Sequence, residues 1–300
     1  MPVSTRPPIA LPFGAASFGI ASFSIMDVVM KSLSIHLGAY NACLWRSVAS
    51  TVMMGLIFVV QRRRWPVWST MKIHLLRGSC SAGMMFLFFW GLVYVPLAEA
   101  IALSFIAPLI TLYLAAVLLK EQIGPRAIAA TVIGFIGVIV IVLGRIGGHH
   151  GPNSGLGVLA ILASAVLYAF NLILQRQQAQ VAAPIEVALF NAAIVTIIFA
   201  SGALWFAHVP PAPQLPSILG AAILASVSLL ALSWAYARAE AKVLIPVEYT
   251  AFIWAAIFGY LAFNEAVTLR TLIGAAFIII GCIFAALQER HHEPSAELGL

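Results

Sequence analysis

The sequence predicts an all-α integral membrane protein of ten transmembrane helices, arranged as an inverted five-plus-five repeat. Three observations lead there. Apolar residues make up 62% of the 300-residue chain and charged residues only 9%, whereas a soluble domain carries about 25% charge to cover its surface. The apolar residues fall in runs of about 20, the length that crosses about 30 Å of hydrocarbon as a helix. The two halves also match each other at a nearly constant offset. The same composition excludes a secreted disulfide scaffold, a disordered chain and a nucleic-acid-binding domain. The net charge of +6 sits in short loops beside apolar runs, where it sets topology.

Breaks rich in charge, proline or glycine delimit spans at 13–31, 37–60, 73–95, 97–119, 126–144, 156–175, 184–207, 217–237, 241–262 and 268–287. The first follows Arg6. It is too long for a signal-peptide core and carries Asp27 and Lys31 near its end, so it reads as a mature helix. The second contains Arg46. Ahead of the third, Trp65 and Trp68 flank Arg62, Arg63 and Arg64 as interfacial anchors. The fourth holds Pro108 and the ninth Pro246, and each proline removes a backbone donor from its helix. The fifth and tenth are glycine-rich, with Gly137 and Gly144 spaced like Gly274 and Gly281. Two turns apart, these glycines form a strip suited to close packing, so the fifth and tenth helices are expected to contact each other. The longest loops, 61–72, 145–155 and 208–216, leave no room for a hidden soluble catalytic domain.

Lys and Arg set the direction of insertion. With the N-terminus inside, the cytoplasmic segments hold Arg6, Arg62, Arg63, Arg64, Lys72, Arg77, Lys120, Arg126, Arg176, Arg238, Lys242 and Arg290. The external side holds only Lys31, Arg145 and Arg270. Both termini are therefore expected in the cytoplasm.

The repeat is carried by several short matches. Glu121-Gln122-Ile123 with Arg126 and Gly137 matches Glu265-Ala266-Val267 with Arg270 and Gly281. Ala98-Glu99-Ala100 matches Ala239-Glu240-Ala241, and Leu44-Trp45-Arg46 matches Leu189-Phe190-Asn191. Five spans is an odd number, so the second copy enters the membrane from the opposite side, as in alternating-access transporters. The units expected are 1–147, 148–290 and a short cytoplasmic tail at 291–300.

With the Leu118–Glu121 end of the fourth span, the Phe263–Glu265 end of the ninth, the glycine-rich fifth and tenth spans and the two helix-break prolines, the sequence resembles the ten-helix drug/metabolite transporters with two EamA-type repeats. The resemblance covers nearly the whole chain. It implies a secondary transporter in a bacterial inner membrane, not an enzyme. The implied activity is export of small polar metabolites, amino acids including aromatic ones being preferred. The cavity would lie between the first, third, fourth, sixth, eighth and ninth helices. A carrier for a sugar phosphate or drug-like solute is the alternative, and a non-transporting membrane assembly subunit is the rival of another class. The partners expected are a small solute and the lipid bilayer, with protons as a candidate coupling ion and the chain as a monomer. No cofactor is expected.

Ionisable residues in lipid spans are costly and mark function or buried pairing. Ser24, Asp27 and Lys31 share one face of the first helix by their three- and four-residue spacing. In the other half the equivalent stripe holds Ser164, Tyr168, Asn171 and Gln175. Arg46 lies about 13 Å into its span, level with Asp27, and a direct Asp27–Arg46 contact is expected, matched by Asn171 and Asn191 in the second half. Glu248, two residues after Pro246, can hold a proton or a substrate ammonium. Glu99, Glu186 and Glu240 stand in first turns, where an acid suits the helix dipole. Trp90, Tyr94, Trp234 and Tyr236 are candidate cavity aromatics or belt residues. Two phosphate charges would need several buried cations, and only Arg46 is placed deep, which disfavours phosphorylated cargo. Cys43, Cys80 and Cys282 lie in apolar runs without metal or redox spacing. The pairs His149-His150 and His291-His292 lie in polar loops, and no metal site is expected.

Overall fold

A computed structural model of the chain describes residues 10–62, 65–119, 125–146, 153–236, 238, 244 and 247–288. All regular structure among the described residues is helical. In chain order the helices are α1 (Ala10–Leu37), α2 (Ala39–Val60), α3 (Trp68–Leu92), α4 (Leu97–Ser104), α5 (Ala107–Leu119), α6 (Pro125–Ile146), α7 (Ser154–Ala179), α8 (Pro184–Ser201), α9 (Ala203–Phe206), α10 (Leu215–Tyr236), α11 (Thr250–Phe263) and α12 (Leu269–Gln288). Six of them, α1, α2, α3, α7, α8 and α10, are long and apolar enough to cross a membrane, and shorter apolar helices lie at 97–111, 131–144, 250–263 and 269–284. The tail 291–300, the two paired-histidine loops, Glu121, Glu240 and Pro246 lie outside the described residues.

Local chemistry sets the boundaries. Gly38 separates α1 from α2 at φ +78°, a left-handed conformation that glycine adopts without penalty. Pro184 opens α8, where its missing N–H costs nothing. The Thr268 hydroxyl accepts the Thr271 N–H at 3.1 Å and caps α12. Pro108 sits in the first turn of α5, and the helix is interrupted at Phe105–Ile106. A proline there cannot donate to the carbonyl four residues back. The Cys282 thiol donates to the Phe105 carbonyl at 3.2 Å, so a side chain from α12 serves the break.

The principal packing pairs are α1 with α10, α2 with α8, α3 with α7, and α6 with α12. The last is the contact expected from the glycine strips. A Cβ on Gly137 would stand 2.5 Å from the Gly274 carbonyl and 2.7 Å from the Ile278 side chain, so the two backbones touch. At α3 and α7, a Cβ on Gly91 would stand 2.7 Å from the Gly157 carbonyl. The main core draws on α1 to α8 and on α10 to α12, with Met26, Met30, Met85, Phe89 and Leu103 among its buried residues. The outer surface is apolar, as Val60, Leu56 and Leu204 illustrate. Such a surface requires a lipid environment.

Candidate functional site

The polar stripe of α1 faces inward as its spacing requires: Ser24, Asp27 and Lys31 are all buried. Asp27 is only 2% exposed. Arg46 comes from α2 and interacts electrostatically with Asp27, yet no ion pair joins them, and the direct contact expected from sequence is not formed. Instead Arg46 donates through Nη2 to the Met85 sulfur and lies 6.0 Å from the centre of the Phe89 ring. The side chains of α3 thus intervene where a carboxylate was expected. Asp27 Oδ1 and Arg46 Nε are buried without a hydrogen-bond partner, so an acid and a base on neighbouring helices both keep unused bonding capacity.

A second polar cluster joins α3 to α7 and α8. Arg77 is buried. It donates to Asn171 Oδ1 at 3.3 Å, to Gln175 Oε1 at 3.4 Å and to Gln178 Oε1. Asn171 in turn donates to Ser81 at 2.6 Å, and Ser81 to Asn191 at 2.8 Å. His74, one turn before Arg77, is fully buried, stacks on Phe190, and places Nε2 3.0 Å from Glu186 Oε1. Tyr168, a turn before Asn171, lies within electrostatic reach of both Arg77 and Glu248. The structure therefore brings Asn171 and Tyr168 to Arg77, with Glu248 reaching Tyr168. The expected Asn171–Asn191 pairing is relayed through Ser81. Glu186 does stand in the first turn of α8, and in addition it pairs with His74.

Arg77 falls near the start of its span, where sequence alone reads it as a topology signal. The overlooked signal is that His74, Arg77 and Ser81 are spaced by three and four residues and share one face. Arg77 and Lys31 are both buried within the protein. Both are engaged: Arg77 by the three amides and Lys31 by an acid from the far end of the chain.

That acid is Glu265. Asn264 ends α11 in the left-handed conformation, φ 56°, which Asn tolerates better than most residues. The turn brings Glu265 back over α4. One carboxylate oxygen pairs with Lys31 Nζ. The other accepts the Leu97 N–H at 2.7 Å, at the N-terminus of α4, where the helix dipole favours an anion. Lys31 also donates to the Val95 carbonyl at 2.9 Å and lies 5.1 Å from the Phe263 ring centre. The end of α1, the turn before α4 and the loop before α12 are thereby tied together. A cavity of about 160 Å³ adjoins this knot, lined by Glu99, Glu265, Thr268 and Thr271 among others.

The aromatic candidates separate. Trp90 and Tyr94 form an edge-on pair 5.0 Å apart at the end of α3, and Trp90 packs against the main core. Trp234 is exposed beneath the Arg238 guanidinium at 4.3 Å, an arrangement suited to a membrane interface. The side chain of Tyr236 lies outside the described residues. No group of three or more His, Cys, Asp or Glu able to hold a metal occurs among the described residues.

The EamA-like transporter family model matches residues 13–143 and again 155–287. An S-adenosylmethionine uptake transporter of Rickettsia prowazekii (strain Madrid E) is 25% identical over 271 residues, covering 90% of each chain. Its counterpart in Rickettsia bellii (strain RML369-C) is 28% identical over 274 residues, covering 90% of this chain and 91% of that one. A pseudopaline exporter of Pseudomonas aeruginosa (strain UCBPP-PA14) is 24% identical over 268 residues, covering 87% of this chain and 91% of that one. A solved crystal structure superposes with a TM-score of 0.62 at 20% identity, covering 95% of this chain and 99% of the other. It shares the fold.

Proposed function

The chain belongs to the EamA-like transporter family, a multi-pass membrane transporter family, and on that premise we propose that it carries an amino-acid-derived zwitterion by alternating access. The observation that carries this reading is the pair of unsatisfied ionisable side chains on α1 and α2. Asp27 Oδ1 and Arg46 Nε are buried and unpartnered, and buried polar groups left unpaired cost about 1–3 kcal/mol each. A zwitterion satisfies both at once, its carboxylate on Arg46 and its ammonium on Asp27, with Ser24 a turn away. Tyr168, Asn171 and Glu248 supply further polar contacts from the second half. The relatives favour the same class, since the named cargo of one group is S-adenosylmethionine, an amino-acid derivative.

The proposed architecture is ten membrane helices in two inverted repeats, with α4 and α5 forming one broken span and α8 and α9 another. The double family match supports it. So does the packing: a twofold exchanging the repeats converts the α1–α10 contact into α7–α3 and returns α2–α8 and α6–α12 to themselves, and these are the four principal pairs. The Lys and Arg distribution favours both termini in the cytoplasm of a bacterial inner membrane. In that orientation the Lys31–Glu265 knot closes the external end, and Arg77 and Glu248 face the cytoplasmic half.

Uptake into liposomes containing the purified protein tests the substrate class. The panel is S-adenosylmethionine, lysine, phenylalanine and a sugar phosphate, each assayed in both directions. Saturable flux of a zwitterion that falls at least about tenfold in Asp27→Asn and in Arg46→Gln is expected, the loss of one charge-assisted contact. Flux of the sugar phosphate alone contradicts the assignment.

A further inference from the structure

The donors and acceptors around Gln178 fix more than packing. Arginine only donates, so the Gln178 atom that meets Arg77 is its carbonyl oxygen, Oε1. The amide nitrogen is thereby turned to His74, where Nε2 of Gln178 meets Nδ1. An amide nitrogen only donates, so Nδ1 is an acceptor and carries no proton. The single proton of a neutral imidazole then sits on Nε2, which donates it to Glu186 at 3.0 Å. In this arrangement the His74 proton sits on Nε2, facing Glu186, and Arg77 is held by an acceptor.

From this geometry, and resting on the carrier reading above, we propose that Gln178 is an amide switch that couples protonation of His74 to the release of Arg77 for the substrate carboxylate in the cytoplasmic half, before that carboxylate passes to Arg46. A proton arriving at Nδ1 turns that nitrogen into a donor facing another donor. The conflict is relieved only when the amide rotates and offers Oε1 to Nδ1. Arg77 then loses its Gln178 acceptor, and the amide nitrogen now facing it repels it. Its weaker contacts, to Asn171 at 3.3 Å and Gln175 at 3.4 Å, leave one edge of the guanidinium for an anion. The imidazolium remains paired with Glu186 through Nε2, so the added charge is met. Proton and carboxylate bind together, and their common partner is one side chain.

The surroundings suit this role. Histidine is the usual carrier of a proton switch near neutral pH. Among the described residues, Glu186 on α8 is the one charged or titratable group bonded to His74. On its own helix Arg77 stands one turn away, while Lys72 is exposed. α7 contributes the neutral Gln178. On α8 the Phe190 ring stacks on the imidazole, and Phe58 of α2 lies against Phe190. No charged or titratable described group of α1, α2 or α4 bonds to His74. Beyond Arg77 come Tyr168 and then Glu248, so the relay ends at the residues proposed to meet the cargo.

Two readouts on the full-length protein test the switch. The first needs no substrate: magnetic resonance of isotope-labelled histidine in lipid nanodiscs, with His74→Gln assigning the signal. The expected neutral ring carries its proton on Nε2 and none on Nδ1. In Gln178→Glu, which offers an acceptor, Nδ1 is expected to acquire a proton. A neutral wild-type ring protonated at Nδ1, or a ring spectrum unchanged in Gln178→Glu, overturns the proposal. The second is exchange of radiolabelled S-adenosylmethionine at equal pH on both sides of the membrane. The half-saturating concentration is expected to be about tenfold lower near pH 5.5 than near pH 7, and to be independent of pH in His74→Gln and Gln178→Met. Exchange indifferent to pH in wild type, or a dependence surviving in Gln178→Met, overturns the switch and leaves the carrier reading intact. Absence of exchange removes this solute from the carrier reading, and the ring spectrum then decides the switch alone.

Discussion

Replacing Glu265 by glutamine leaves the shape of the external knot intact and strands a buried charge. Lys31 is 3% exposed and Glu265 19%. In the variant the amide oxygen still accepts the Leu97 N–H, so the amide nitrogen is turned to Lys31 and two donors face each other. Lys31 keeps the Val95 carbonyl and the Phe263 ring. Breaking a fully buried ion pair costs about 3–5 kcal/mol; the partial exposure of Glu265 lets solvent soften the loss, which places it near 3 kcal/mol. Lys31→Met is milder, about 1–2 kcal/mol, because Glu265 retains an N–H and the positive end of α4. The double variant removes both charges and is expected to be about as stable as Lys31→Met, a coupling of about 3 kcal/mol. Reversible unfolding in detergent, followed by helical circular dichroism, measures all four proteins. Additive losses, or a Glu265→Gln loss under about 0.5 kcal/mol, would refute the assignment of this pair as a structural tie between the halves.

Three further outcomes follow from the same structure. Gly137→Ala drives a methyl into the Gly274 carbonyl and Ile278 and should destabilise by about 1–3 kcal/mol; an unchanged unfolding midpoint would mean that α6 and α12 have room to part. Arg77→Lys keeps the charge but cannot reach three amides at once, so it is expected to lower flux at least about tenfold while leaving the helical content unchanged, as transport and circular dichroism on one preparation will show. In a background lacking native cysteines, Arg62→Cys should react with a membrane-impermeant thiol reagent only from the cytoplasmic side and Val209→Cys only from outside. The reverse pattern would invert the proposed orientation.

Much of the fold is written in the apolar runs, because a membrane span needs little beyond length and hydrophobicity. The run at 37–60 becomes α2 at Ala39–Val60, and the glycines at 137 and 274 meet as their spacing indicates. The break near Pro108 is equally legible, since proline acts on its own helix. The site is harder to read. Inward orientation of Asp27 and Lys31 follows from helical period, but partner choice depends on which helices meet and at what level. Lys31 finds an acid more than two hundred positions away, and Arg46 meets Met85 and Phe89 of α3 in place of Asp27. Arg77 is instructive: a basic residue near the end of a span can serve topology and an interior network together, and only the position of α7 reveals the network. Glu265 is visible within the Phe263–Glu265 motif, but its role depends on the left-handed turn at Asn264 that aims it.

Counterflow distinguishes carrier-mediated exchange from passive leakage. Liposomes bearing the protein are loaded with unlabelled S-adenosylmethionine, diluted into a trace of the labelled compound, and compared with empty vesicles and with an Asp27→Asn/Arg46→Gln variant, with lysine and phenylalanine run in parallel. A carrier with alternating access concentrates the label transiently above its outside level in loaded vesicles, and the variant does not. Label that only equilibrates, equally in loaded and empty vesicles and for every zwitterion tried, would contradict carrier-mediated exchange through this site.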